Sequence, residues 1–179
     1  MNVLTHFTIP YKGMGDGIHN LDFDIDSDFF KAFEASHLDN GKFKVLVEID
    51  RRHDSSVFTF NIDGSTKTNC DRCLESINLP MYGDFTLHVK HGADGESTDE
   101  IMYIHPETST LNLSQVIYEF VLLCMPLVKI YNCENDEIPP CNINILDKLD
   151  DVEEKDKKEE KETTKNGIWD TLKGLELDK

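Results

Sequence analysis

KFKVLVEIDRRHDSSVFTFNIDGSTKTNCDRCLESINLPMYGDFTLHV, residues 42–89, is the stretch on which the fold turns. Phe43, Val45, Val47 and Ile49 alternate with Lys42, Lys44, Leu46 and Glu48. A period of two places the first set on a buried face and the second in water, as in a half-buried strand. A second strand is expected from about Val57 to Ile62. Asp63-Gly64 reads as a hairpin turn, because type I′ turns need positive φ at both central residues. A third strand then runs from Ser65 into the turn around Cys70. The chain returns through Ile77, Leu79 and Met81, and Phe85, Leu87 and Val89 continue the same alternation.

Working outward toward the N-terminus, Leu21, Phe23 and Ile25 alternate with Asp22, Asp24 and Asp26, giving another one-sided strand. Ser27 or Asp28 is expected to cap a short helix carrying Phe29, Phe30 and Phe33. Residues 3–9 read as a short strand. Gly13-Met14-Gly15-Asp16-Gly17 resembles a phosphate-binding loop only in composition, since no strand–turn–helix surrounds it. Toward the C-terminus, residues 100–105 read as a strand. A helix is expected to start near Leu113-Ser114, with Ser114 as its cap and Val116, Ile117, Phe120, Val121 and Cys124 as its apolar stripe, and to stop before Pro126. Mostly strands joined by short turns, with one or two helices, predict an α+β fold: an antiparallel, strongly curved or barrel-like sheet with packed helices.

Beyond Leu146 the composition changes. Residues 147–165 carry nine acidic and six basic side chains and read as a charged linker. Apolar character returns in residues 166–179, where Trp169, Leu172 and Leu175 are spaced about one helical turn apart. Three units are therefore expected: a domain over 1–146, a linker over 147–165 and an amphipathic segment over 166–179 that docks on the domain or binds a partner.

The chain has 179 residues and a net charge of −17. The tail does not account for it: residues 1–146 alone hold 23 acidic and 10 basic side chains, a net of −13. Nucleic-acid binding ordinarily relies on Lys and Arg that displace counterions from phosphates, so such a body is repelled by bare RNA and attracted to a cationic protein. Lys42, Lys44, Arg51 and Arg52 are the one basic concentration in the body, and the first candidates for any phosphate contact; Lys on an exposed edge strand is the plainer reading. No apolar run has signal-peptide or membrane-span length, so a cytoplasmic protein with no membrane association is expected.

The chain carries none of the H-E-x-x-H, G-x-S-x-G or Walker-type patterns, and its seven His are scattered. A non-enzyme is expected. The chemistry that is present sits in five Cys, an odd number that argues for thiols or metal ligation over a disulfide scaffold. Cys70 and Cys73, with Arg72 between them, have the spacing of half a zinc ribbon. Cys133 and Cys141 are the available second half, although seven residues separate them, more than in an ordinary knuckle. Three readings of Cys70 and Cys73 stay open: a zinc site completed by Cys133 and Cys141, a thiol-redox pair, or a turn without metal. No cofactor other than zinc is suggested. Cys124 falls on the helix's apolar side and reads as a core residue.

Cys70-x-Arg72-Cys73-Leu74, the strand-rich stretch before it, the helix leading to Met125-Pro126-Leu127 and the terminal Trp169-x-x-Leu172-x-x-Leu175 together resemble the YceD family of large ribosomal RNA subunit accumulation proteins. The resemblance implies a cytoplasmic, non-catalytic factor in ribosome assembly, linked to accumulation of large-subunit ribosomal RNA. With the acidic body, it leads to the expectation that the chain binds a basic ribosomal protein or a large-subunit protein–RNA intermediate, with direct RNA contact left open. Arg72, Lys42, Lys44, Trp169 and Leu172 are the candidate partner-binding residues. The alternatives are a zinc-binding or thiol-redox module using Cys70 and Cys73, and a general acidic chaperone without an RNA connection.

Overall fold

The protein's fold is taken from a computed structural model, which describes residues 3–33, 38, 40–53, 55–92, 98, 100–133 and 140–149. The strands, in chain order, are β1 (Thr8–Ile9), β2 (Gly17–Ile25), β3 (Lys42–Arg51), β4 (Ser55–Asn69), β5 (Ser76–His91), β6 (Ile101–Ile104) and β7 (Leu111–Asn112). The helices are α1 (Ser27–Lys31), α2 (Ser114–Leu123) and α3 (143–149). Short 3-10 turns occupy Val3–Phe7 and Tyr11–Gly13. The 3–9 stretch, expected as a strand, is thus a helical turn with only its last two residues extended.

Strands β2-β3-β4-β5-β6 form one sheet in that order, and β1 pairs with β7 in a separate two-stranded one. The large sheet is antiparallel except at its last pair, where β6 runs parallel to β5. It is open, with β2 and β6 as its edges, and it is neither closed nor strongly curled, so the mixed α+β class holds and the barrel-like curl finds no support.

The period of two decides which face is covered. Phe43, Val45, Val47 and Ile49 of β3, Phe58, Phe60 and Ile62 of β4, and Met81, Leu87 and Val89 of β5 point inward. They pack under α1, α2 and the N-terminal turns, with Phe7, Phe29, Phe30, Leu113, Ile117 and Val121 closing the core. Removing that much apolar surface from water is the main stabilising term. The opposite face of the sheet carries no helix of the described chain.

Three local readings are corrected. Asp63-Gly64 is no turn: β4 runs straight through it, paired to β3 at Lys44↔Asp63 and to β5 at Asp63↔Tyr82. Gly64 is needed for closeness: a Cβ there would sit 2.3 Å from the Lys42 carbonyl and 2.5 Å from the Phe43 ring. The turn between β3 and β4 lies at Arg52-His53, where the Arg52 N–H donates to the Ser55 carbonyl at 2.9 Å. At α1 the cap is Asp26, whose carboxylate accepts from the N–H groups of Asp28 and Phe29 at 3.0 and 3.3 Å. At α2 the Ser114 hydroxyl caps nothing; the Asn112 side chain accepts from the Ser114 N–H at 2.9 Å. The helix ends at Leu123, with Cys124 as its C-cap, ahead of Pro126 as expected. Helix α3 runs across the 146/147 boundary, and residues 150–179, with most of the linker and all of the Trp169–Leu175 segment, lie outside the described residues.

Candidate functional site

Two regions bear chemistry: the Cys70–Glu75 turn and the uncovered face of the sheet. The turn joins β4 to β5. The Leu74 N–H donates to the Cys70 carbonyl at 2.9 Å, and the Cys70 N–H to the Glu75 carbonyl at 2.8 Å. Leu74 holds φ at 60°, the only positive φ of a non-glycine among the described residues. That left-handed conformation costs an L-residue about 1–2 kcal/mol, and here it tucks both thiols inward: Cys70 and Cys73 are each 1% exposed while the Leu74 side chain is 71% exposed.

The chain after α2 folds back onto this turn. The Asp71 N–H donates to the Lys129 carbonyl at 2.8 Å, and the Lys129 N–H to the Asp71 carboxylate at 2.7 Å. This reciprocal pair fixes the approach of Tyr131 and Cys133. The outcome is a second, smaller core, separate from the main one: Cys70, Cys73, Ile77, Leu79 and Cys141, with Tyr131, Cys133, Ile145 and Leu146 packed against it. Helix α3 supplies the last two. The structure therefore brings together the four cysteines that the sequence suggested as a set.

Within that core Cys133 and Cys141 are joined as a disulfide with Cα atoms 6.5 Å apart, and Cys70 and Cys73 are free thiols. In this state no group of three or more His, Cys, Asp or Glu among the described residues could hold a metal ion. Burial pushes the Cys70 thiol up, but the N–H groups of Tyr131, Cys73 and Arg72 and the Cys73 side chain all favour the thiolate, and the net direction is below the ordinary thiol value. Cys124 is the opposite case: burial, with Asp84 nearby, pushes it up to about 11. It packs at the edge of the main core, as the sequence reading had it.

The uncovered face is read from the strand register. Asp24, Lys44, Asp63 and Tyr82 lie in one row across β2–β5, and Asp22, Leu46, Asn61 and Asp84 in the next. Glu48 and Asp50 follow along β3. Leu46 is 48% exposed and Tyr82 80% exposed, and shallow depressions flank Leu46, one lined by Lys44, Asp63, Tyr82 and Asp84, the other by Asn20, Asp22 and Glu48. Carboxylates thus flank the exposed Leu46 and Tyr82, with Lys44 among them and Lys42 and Lys67 at one end of the same face.

The basic residues named from the sequence are not one patch. Lys42 and Lys44 begin β3, and Arg51 ends it, about 30 Å away at ~3.3 Å per residue. Arg51 stacks over the Tyr11 ring at 4.5 Å and donates to the Tyr11 carbonyl. Arg52 pairs with Asp50 at 2.8 Å. Lys44 sits between Asp24 and Asp63. Arg72 is exposed on the cysteine turn. Trp169 and Leu172 lie outside the described residues. The acidic sheet face was missed by sequence reasoning, which treated Asp22 and Asp24 singly; the alternation in β2, β3 and β4 contained it once the strands were put in register.

One family model matches residues 58–176, that of the Large ribosomal RNA subunit accumulation protein YceD. The chain belongs to the YceD family. The match starts inside β4 and takes in the cysteine turn, β5, α2, α3 and the terminal Trp169–Leu175 segment. Strands β1–β3, with Lys42 and Lys44, precede the part shared with YceD proteins. No curated protein and no solved structure matches the chain. Among the described residues no helix is long and apolar enough to cross a membrane.

Proposed function

We propose that the chain is a non-catalytic, cytoplasmic ribosome-assembly factor that supports accumulation of large-subunit ribosomal RNA by holding a basic ribosomal protein, or an assembly intermediate presenting one, against the uncovered sheet face. Membership of the YceD family carries the assembly role. The partner is argued from the face itself. Asp22, Asp24, Glu48, Asp50, Asp63 and Asp84 lie on it, in a body at −13, with Leu46 and Tyr82 exposed among them. Carboxylates steer a cationic surface toward the sheet, and exposed apolar side chains at the centre supply area that becomes dry on contact. Bare RNA is repelled by the same field.

The test is recovery of large-subunit assembly particles on tagged protein at physiological salt. Wild type is expected to retain large-subunit ribosomal proteins. A variant carrying Asp22→Lys, Asp24→Lys and Asp63→Lys, all on exposed strand positions, is expected to lose them while keeping its fold by circular dichroism. Undiminished recovery by that variant would remove the sheet face from the proposal and leave the assembly role standing.

A further inference from the structure

We propose that Cys70, Cys73, Cys133 and Cys141, with all four reduced, form one tetrahedral zinc site that pins the chain after α2 to the tip of the β4–β5 hairpin. The inference does not rest on the ribosomal role, since it is read on the purified protein alone.

Convergence is the first ground. Four of five cysteines meet in one small core though they come from a hairpin turn, the segment after α2 and the bend just before α3; the fifth, Cys124, packs elsewhere. The second ground is how the first pair is held. Two buried thiols three positions apart sit free beside another pair. The Leu74 φ of 60° and the backbone bonds of Cys70 to Leu74 and Glu75 keep them side by side. N–H groups of Arg72, Cys73 and Tyr131 donate toward the Cys70 sulfur. Donors of this kind orient a metal-bound thiolate and offset its charge.

Spacing is the third ground. Ligands at ~2.3 Å from zinc place two sulfurs about 3.8 Å apart in a tetrahedron. The Cys133 and Cys141 Cα atoms are 6.5 Å apart, toward the long end of what a disulfide spans and suited to two ligands of one ion. The last ground is what the small core lacks. Ile77, Leu79, Tyr131, Ile145 and Leu146 are a thin apolar set to hold residues 129–133 and 140–149 in place, and structural zinc contributes folding free energy where a core is too small to do so.

The balance is simple. A thiol reductant of the glutathione class gives two electrons to the Cys133–Cys141 bond and leaves as its own disulfide. Four thiols then bind one zinc ion and release their protons to water. The disulfide and the metal are alternative states of the same sulfurs.

Full-length protein is reduced with a phosphine, freed of metal and titrated anaerobically with Zn²⁺, and in parallel with Co²⁺. About one ion per chain, an intense tetrahedral cobalt spectrum with sulfur-to-metal charge transfer, and new hydrogen-exchange protection over residues 129–133 and 140–149 are expected. Cys70→Ser and Cys133→Ser are each expected to reduce Zn²⁺ affinity at least tenfold, and Cys124→Ser to leave it unchanged. Failure of the reduced wild type to bind zinc would overturn the site without recourse to any variant. So would an octahedral, sulfur-free cobalt spectrum, or zinc binding that survives both Cys70→Ser and Cys133→Ser.

Discussion

Leu74 is a leucine where the backbone asks for a glycine. Its φ of 60° is needed to close the Cys70–Glu75 turn, and its exposed side chain gains little in return. Leu74→Gly is therefore expected to stabilise the reduced protein, by up to about 1 kcal/mol once glycine's larger unfolded-state entropy is allowed for. Urea unfolding reads this directly; destabilisation would mean that the Leu74 side chain has a packing partner that its exposure conceals. Residue identity announced the cysteines but not this conformation. C-x-x-C spacing shows in any sequence, whereas a positive φ at Leu74 has no signal in a leucine. The convergence of Cys133 and Cys141 on the turn was legible only as an inventory of sulfurs, because their contact depends on the Asp71–Lys129 hydrogen bonds, which close between residues 58 positions apart.

At the level of elements, alternation was reliable and punctuation was not. The patterns in β2, β3 and β5 placed Phe23, Val45 and Leu87 on the inner face because burial on one side of a strand leaves a period of two in any sequence. Asp63-Gly64 misled because a glycine serves two purposes: positive φ, or room for a neighbour. Only the second applies, since the Lys42 carbonyl and Phe43 occupy the place of its absent Cβ. Gly64→Ala is accordingly expected to destabilise the fold by about 2–3 kcal/mol through overpacking, and to loosen exchange protection in β3 and β4 before β5. An unchanged denaturation midpoint would show that β3 can move aside. The α2 start was read correctly near Leu113-Ser114, but the role given to the Ser114 hydroxyl was not, for a comparable reason. Ser114 is a good capping residue by type, but the Asn112 side chain reaches its N–H first, while also donating to the Leu4 carbonyl and the Thr8 hydroxyl at 2.9 Å each. A side chain that meets the helix start and also ties two other segments is a tertiary feature, invisible in a local window.

For the whole molecule, net charge was the part of the function most open to sequence reading, and its distribution the least. Arithmetic gives −13 for residues 1–146, but only the β2–β3–β4–β5 register turns Asp22, Asp24, Asp63 and Asp84 into neighbours on one face. The same register separates Lys42 and Lys44 from Arg51, so the basic stretch of the sequence is not one patch in space. A field made by spread carboxylates acts chiefly on the rate of encounter, and it is screened within about 8 Å at physiological salt. Association with basic large-subunit ribosomal proteins, assayed one at a time, is therefore expected to slow about tenfold or more as salt rises from roughly 50 to 300 mM, with dissociation much less affected. Asp22→Asn, Asp24→Asn and Asp63→Asn together should weaken that dependence, because three of the six carboxylates on the face are gone while Leu46 and Tyr82 remain. Under the same conditions the isolated chain is expected to leave naked ribosomal RNA unbound. Stopped-flow association with the wild-type and triple-variant proteins distinguishes the cases: an identical salt slope would place the docking surface elsewhere, and tight, steeply salt-dependent capture of bare RNA would mean that the anionic body approaches phosphate through a surface other than this sheet.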